Sequence, residues 1–322
     1  MTSGRDIAIG LNAVILAVTD GVPRVLTVSS RGPDGSSLSA LPYGPLDADR
    51  DRTLELGLRN WVRQQTDLEL EYVEQLYTFA DRDRDPAVHG SGPRQVSVAY
   101  LALMREAEGQ VGEGSQWRDI YSFFPWEDWR EGRAEGIDLI QDSLREWGGA
   151  STSPEEASSR RERIELAFGL GGVGWDGYQV LERYELLYEI GLVRESTYPL
   201  GPRPAASRAF LGESMVLDHR RILATALGRV RGKIKYRPVI FELMPPLFTL
   251  FQLQKVVEAL AGVPLHKQNF RRLVEKGGLV EGTGRFDPMT GGRPAELFRF
   301  RREVLRERVA PGLGVPTPRP AG

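Results

Sequence analysis

The sequence predicts an α/β domain at the N-terminus, a mostly helical middle, and a C-terminal helix-turn-helix followed by a β-hairpin wing. Three observations carry this expectation. A β-branched run from Ile7 to Val18 leads into the tight-turn dipeptide Asp20-Gly21 and resumes from Val22 to Val28, the pattern of a hairpin. Aromatic residues concentrate between Gly109 and Gly212. From Arg229 to the end, basic residues outnumber acidic ones, although the whole chain has a net charge of only −2. The earlier residues therefore carry the acidic excess, and such asymmetry points to a polyanion-binding module at the basic end.

The length of 322 residues suffices for two domains. The absence of cysteine excludes disulfides, thiol nucleophiles and thiolate metal sites, and it suits a reducing cytoplasm. With only His89, His219 and His266, histidine-rich metal chemistry and serine–histidine hydrolysis have little support. The run Ile7–Val18 is too short to span a bilayer, which takes about 20 residues, and it lacks a basic leader and cleavage site, so no membrane association is expected.

After the hairpin comes a Gly/Ser/Pro-rich stretch, Arg31–Pro45, and then Leu54, Leu58, Trp61 and Val62 recur at helical spacing, predicting a helix over Asp51–Gln65. Tyr72–Phe79 and Gln95–Met104 are strand candidates separated by the polar loop Ala80–Arg94. In the middle, Trp117, Tyr121, Phe123, Phe124, Trp126 and Trp129, and later Leu181, Tyr184, Leu187 and Tyr188, are expected to pack as core. Gly148–Ser159 and Tyr198–Pro204 are expected as exposed loops. Leu217–Val230 reads as a helix running into the basic segment Arg229, Arg231, Lys233, Lys235 and Arg237, where the domain boundary is placed.

Beyond that boundary, Thr249-Leu250-Phe251-Gln252 is a capping box, and Leu250, Leu253, Val256, Val257 and Leu260 form an apolar stripe ending near Gly262. A second helix is predicted over His266–Lys276, stopped by Gly277-Gly278, with Phe270, Leu273 and Val274 on one face and His266 at its start or surface. Lys267, Gln268, Asn269, Arg271 and Arg272 are left to project elsewhere. Those types suit DNA, because Arg and Lys read guanine or neutralise phosphate while Gln and Asn pair with adenine. Arg285 and Arg293 fall on the predicted wing. Double-stranded DNA is favoured over RNA, since neither a stacking platform nor a GXXG loop is evident. Residues 312–322 are Pro/Gly-rich and expected to be disordered.

Arg231-Gly232-Lys233-Ile234-Lys235-Tyr236, Phe241-Glu242-Leu243-Met244-Pro245, Asn269-Phe270-Arg271-Arg272 and Gly292-Arg293-Pro294-Ala295 resemble the winged helix of the Nudix-related transcriptional regulators of NAD metabolism, the NrtR-like proteins. Tyr77-Thr78-Phe79, Arg84-Asp85-Pro86, Val98-Ala99-Tyr100-Leu101 and Asp218-His219 resemble their Nudix-like half. The block Phe124-Pro125-Trp126-Glu127-Asp128-Trp129-Arg130 and Gly174-Trp175-Asp176-Gly177 look most like the larger NadQ-type NAD regulators of alphaproteobacteria. The resemblance implies an α/β Nudix-like sensor, residues 1–228 with a helical insertion at about 130–212, and a winged helix-turn-helix, residues 229–311. It further implies a cytoplasmic, homodimeric repressor of NAD biosynthesis genes on a palindromic operator. The implied effector is an adenine nucleotide (NAD, ATP or ADP-ribose), for which Arg31, Tyr43, Arg59, Arg84 and Tyr100 are candidate ligands.

A Nudix hydrolase needs glutamates on one helix face to hold Mg²⁺. Aligning Thr66-Asp67-Leu68 with the usual Thr-Gly-Leu puts Asn60, Trp61, Gln64 and Gln65 where Arg, Glu, Glu and Glu would stand. No catalytic residue, bound metal or required cofactor is therefore expected, with Asp47, Asp49 and Glu55 the remaining nearby carboxylates. The alternatives are an active nucleotide-sugar pyrophosphatase and a Nudix-like regulator that responds to a sugar.

Overall fold

The N-terminal strand β1, Ile7–Thr19, is the centre of the architecture, and its continuous apolar run has a simple cause. Leu11 and Ala13 through Ala17 are all fully buried, which happens when both faces of a strand are covered. A computed structural model of the protein describes residues 6–32, 35–81, 93–106, 111–151, 153–196, 209–288 and 294–307. In it β1 turns back at Asp20 and Gly21, both at positive φ as a tight hairpin turn requires, into β2, Val22–Arg31. The sheet is completed by β3 (Ser37–Ala40), β4 (Tyr43–Pro45), β5 (Tyr72–Phe79), β6 (Arg94–Leu103) and β7 (Ser115–Asp119). Its main order is β3-β2-β1-β6-β5, with β4 pairing β1 and β7 pairing β2. β1 and β6 run parallel, from Ile7 opposite Arg94 to Leu16 opposite Leu103.

One face of the sheet is covered by α1, Leu54–Thr66, whose Leu58 and Val62 pack with Leu11, Ala13, Ile15, Val98, Tyr100 and Ala102. Thr53 caps its start and Asp67, in left-handed conformation, ends it. The other face packs Val14, Leu16, Ala99, Leu101 and Leu103 against the middle of the chain. There α2 (Ile137–Gly149), α3 (Pro154–Phe168) and α4 (Val180–Glu189) build the helical insertion, and Tyr184 of α4 is fully buried in one cluster with Phe123, Phe124 and Trp126 from the segment before it.

One expected loop is corrected here, and two other stretches hold strands beyond those expected. The stretch from Gly109 opens with a strand, β7, which pairs with β2 from Ser115 opposite Val28 to Asp119 opposite Arg24. Arg31–Pro45 contains β3 and β4, short edge strands whose pairing is decided by the neighbouring chain and not by local pattern. Gly148–Ser159 is not all loop, because Ser153 caps α3 with Pro154 in its first turn and Glu155 and Glu156 behind it, a helix-start chemistry. The expected loop Tyr198–Pro204 and the tail 312–322 lie outside the described residues.

From the insertion the chain enters α5, His219–Tyr236, a single helix that is continuous across position 229 where the charge balance changes. Then follow α6 (Leu250–Ala261), α7 (Lys267–Gly277), β8 (Val280–Asp287), β9 (Ala295–Phe300) and the short α8 (Val304–Glu307). The capping box of α6 is present in full: Thr249 Oγ1 accepts from the Gln252 N–H, and the Thr249 N–H donates to Gln252 Oε1. The hairpin is joined to the segment before α6 by paired Phe248 and Phe298 backbones and by Phe241 stacked on Phe300, ring centroids 4.3 Å apart.

Candidate nucleic-acid interface and effector pocket

The second helix of the C-terminal pair is anchored by a few residues. Phe270 and Val274 are buried, while Lys267, Gln268, Asn269, Arg271 and Arg272 are all exposed. His266 is the residue before the first turn of α7 and is also exposed. No acidic residue sits in that first turn. Glu258 and Gln254 of α6 hold the turn that leads to α7: Glu258 Oε1 accepts from the Leu265 N–H at 2.9 Å and from Gln254 Nε2 at 2.9 Å, and Gln254 also donates to the Leu265 carbonyl at 2.8 Å. Burial acts to raise the Glu258 pKa, but these hydrogen bonds and Lys255 outweigh it and hold the carboxyl below its usual range.

Arg285 and Phe286 are exposed on β8, and Arg293 lies outside the described residues. Five cation- or amide-bearing residues thus share one short helix beside a hairpin. Such a helix can present donors to base edges while the hairpin reaches the flanking backbone.

A second concavity, of about 190 Å³, lies between the sheet and the first turn of α5. Gly10, Asn12, Gln95 and Ser97 form its floor, Tyr43 and Gly44 one wall, and Asp218, His219 and Ile222 its roof. His219 is buried, its Nδ1 accepts from the Leu41 N–H at 3.0 Å, and its ring meets Tyr43 edge-on at 4.9 Å. Burial pushes its pKa down to about 3, so the imidazole is neutral and carries its proton on Nε2. Asp218 and Asp81 both pair with Arg221, whose guanidinium lies over Phe79. The pocket therefore offers amides, hydroxyls, a neutral imidazole, aromatic walls and the carboxylates of Asp81 and Asp218, a lining suited to the hydroxyl groups of a nucleoside or sugar.

Of the five candidate ligand residues, the structure places Tyr43 in this pocket. Arg31 is exposed at the end of β2, beside Ser30, whose hydroxyl lies 3.3 Å from that of Tyr43. Arg59 and Tyr100 are on the α1 side of the sheet. Arg59 pairs with Glu55 and donates to the carbonyls of Leu70 and Glu71, and Tyr100 is buried, with a phenol pKa raised by that burial and by Glu55. Arg84 lies outside the described residues. Asn12, Gln95, Ser97 and His219 line the pocket without having been singled out as ligands. Only the Asp218-His219 pair carried a signal in the sequence.

Two of the four positions aligned with a Nudix box, Trp61 and Gln65, are engaged with β4. Gln65 receives the Tyr43 N–H on Oε1 at 3.0 Å and donates from Nε2 to the Tyr43 carbonyl at 2.8 Å. Trp61 Nε1 donates to the Pro45 carbonyl at 2.8 Å, and its ring lies so close to Gly44 that a Cβ there would come within 2.1 Å. Asp47 accepts from the backbone of Asp49 and Arg50 in its own loop. Among the described residues no group of three or more His, Cys, Asp or Glu is arranged to hold a metal ion, and no helix is long and apolar enough to cross a membrane.

Residues 240–300 match the NrtR DNA-binding winged helix domain. Over 86 residues the chain is 41% identical to the ADPR responsive transcriptional repressor NtrR of Acinetobacter baylyi. That match takes in 27% of this chain and 34% of the relative, so the chain spans about a third of the length of the curated relative it matches. Among solved structures, Shewanella oneidensis NrtR complexed with a 27mer DNA aligns with a TM-score of 0.55 at 20% identity, covering 92% of this chain and 95% of that one. A MutT/nudix family protein from Enterococcus faecalis aligns with a TM-score of 0.51 at 15% identity, covering 94% of this chain and 89% of that one. The fold is thus a Nudix-like α/β domain with a helical insertion, followed by a winged helix.

Proposed function

We propose that this chain is a ligand-responsive DNA-binding repressor whose Nudix-like domain senses an adenine nucleotide without hydrolysing it. The observation that carries the reading is α7: a helix rooted by Phe270 and Val274, with Lys267, Gln268, Asn269, Arg271 and Arg272 exposed, inside the segment similar to the NrtR winged helix. These five residues, with Arg285 and Arg293 of the wing, are assigned to DNA. The sensor comprises residues 1–228, with its insertion at about 130–212, and the DNA reader residues 229–311, with α5 shared across the junction.

The effector reading rests on the pocket over α5 and on the A. baylyi relative, whose name describes response to ADPR. ADP-ribose is therefore the first candidate and NAD and ATP the next. Tyr43 faces the base or ribose, Arg31 and Arg84 are assigned to the phosphates, and Arg59 and Tyr100 support the α1 side. Hydrolysis is lost because Gln64 and Gln65 supply no charge for a divalent ion, and Gln65 and Trp61 are committed to β4. No cofactor is required in this reading. The protein acts in the cytoplasm as a homodimer on a palindromic operator beside NAD biosynthesis genes.

A sugar effector is the second reading, favoured by the hydroxyl-binding lining of Asn12, Gln95 and Ser97. Selection of duplexes from random sequence, repeated with ADP-ribose, NAD, ATP and sugars, tests both. Recovery of a palindrome whose affinity changes with one nucleotide is expected. Failure to select any duplex would remove the regulator reading, and Mg²⁺-dependent turnover of ADP-ribose would remove the claim of lost catalysis.

A further inference from the structure

One buried carboxylate joins three parts of the chain. Glu127 sits in the 3-10 turn Pro125–Glu127 and is fully buried. Arg183 of α4 donates to both of its oxygens and Arg231 of α5 to Oε2. Arg183 is fixed in turn by the carbonyls of Ala167 and Asp176 and lies 3.9 Å over the Trp175 ring. Burial acts to raise the Glu127 pKa, and the two guanidinium groups outweigh it, so the carboxylate stays ionised.

Arg231 also faces the winged helix. Its Nε donates to the Leu260 carbonyl at 2.9 Å, and Tyr121, which it also touches, donates its hydroxyl to the Ala259 carbonyl at 2.7 Å. Those carbonyls end α6. Gly262 follows in left-handed conformation, its carbonyl accepting from the Trp129 N–H at 2.7 Å. A Cβ on Gly262 would come 2.3 Å from the Glu127 carbonyl oxygen and 2.7 Å from the Arg231 guanidinium, so the approach depends on glycine. The same α5 that holds Arg231 roofs the pocket with His219, about 18 Å away along the axis at 1.5 Å per residue.

We propose that the Glu127–Arg231 joint clamps the end of α6 to the sensor, so that sensor and winged helix move as one body and α5 carries the state of the pocket to the DNA-reading helix. The second half of this inference rests on the regulator reading above; the clamp itself does not.

The test uses full-length wild type, Tyr121→Phe and Gly262→Ala, neither substitution lying in the pocket or on α7. Scanning calorimetry is expected to give one transition for wild type and two for each variant. ADP-ribose affinity and ligand-free affinity for a selected duplex should stay within about twofold, while the effect of ADP-ribose on duplex affinity should fall at least about fivefold. A purely structural role would not separate those quantities. Two transitions in wild type, or variants that melt as one unit and keep the full ADP-ribose effect, would overturn the proposal. Should wild type ignore ADP-ribose, the effector reading fails while calorimetry still decides the clamp. Tyr121→Phe removes a single oxygen and carries the test if Gly262→Ala does not fold.

Discussion

Gln65 grips Tyr43 by both ends of its side-chain amide, accepting from the backbone N–H and donating to the carbonyl, so that α1 and β4 are tied as two strands would be. A glutamate at this position would keep the acceptor and lose the donor. Ionised, it would also stand against the Tyr43 carbonyl oxygen. Gln65→Glu is therefore expected to lower stability by about 1–3 kcal/mol, read as a shift in urea midpoint, without creating Mg²⁺-dependent hydrolysis. Unchanged stability would mean the amide pairing contributes nothing.

His219 links stability to pH. Its folded pKa of about 3 lies below the ordinary value of about 6.5, so between the two the unfolded chain binds a proton that the folded chain does not. The contribution of the neutral ring is thus complete above about pH 6.5 and declines as pH falls toward 3. His219→Gln, which does not titrate, should be less stable than wild type at pH 7.5, with the gap in urea midpoint narrowing at pH 5. A constant gap would show that the ring does not titrate in this way.

On α7, Arg271→Ala and Gln268→Ala are each expected to weaken binding to the selected duplex by about 1–3 kcal/mol and relax base preference, as loss of base contacts does. Arg285→Ala on the wing should instead weaken all sequences evenly and reduce the salt slope by about one. Fluorescence anisotropy across a salt series separates the two outcomes.

Thr249→Ala removes half of the α6 capping box and leaves an orphaned N–H, a loss of about 0.5–2 kcal/mol. Thermal melts should show it as a lower midpoint.

The legible parts of the fold are those whose causes are local. Thr249, Gln252 and Gly262 mark both ends of α6 within the helix itself, and Asp20-Gly21 specifies its own turn. β7 escaped because Ser-Gln-Trp-Arg-Asp has no alternation and is held by β2 from a distance in sequence. The exposed face of α7 was visible as residue types without acidic neighbours. The pocket was not: Asn12, Gln95, Ser97 and His219 come from strands and a helix that only the parallel pairing of β1 with β6 and the docking of α5 bring together.

That parallel pairing also governs the order in which the molecule can assemble. Ile7 waits for Arg94, and a chain emerging from the ribosome at about 5–20 residues per second leaves β1 with an unsatisfied edge for several seconds after its hairpin partner β2 is complete. An apolar strand with an open edge is a template for other chains. The nascent α/β domain is therefore most exposed to aggregation in the interval before β6 appears.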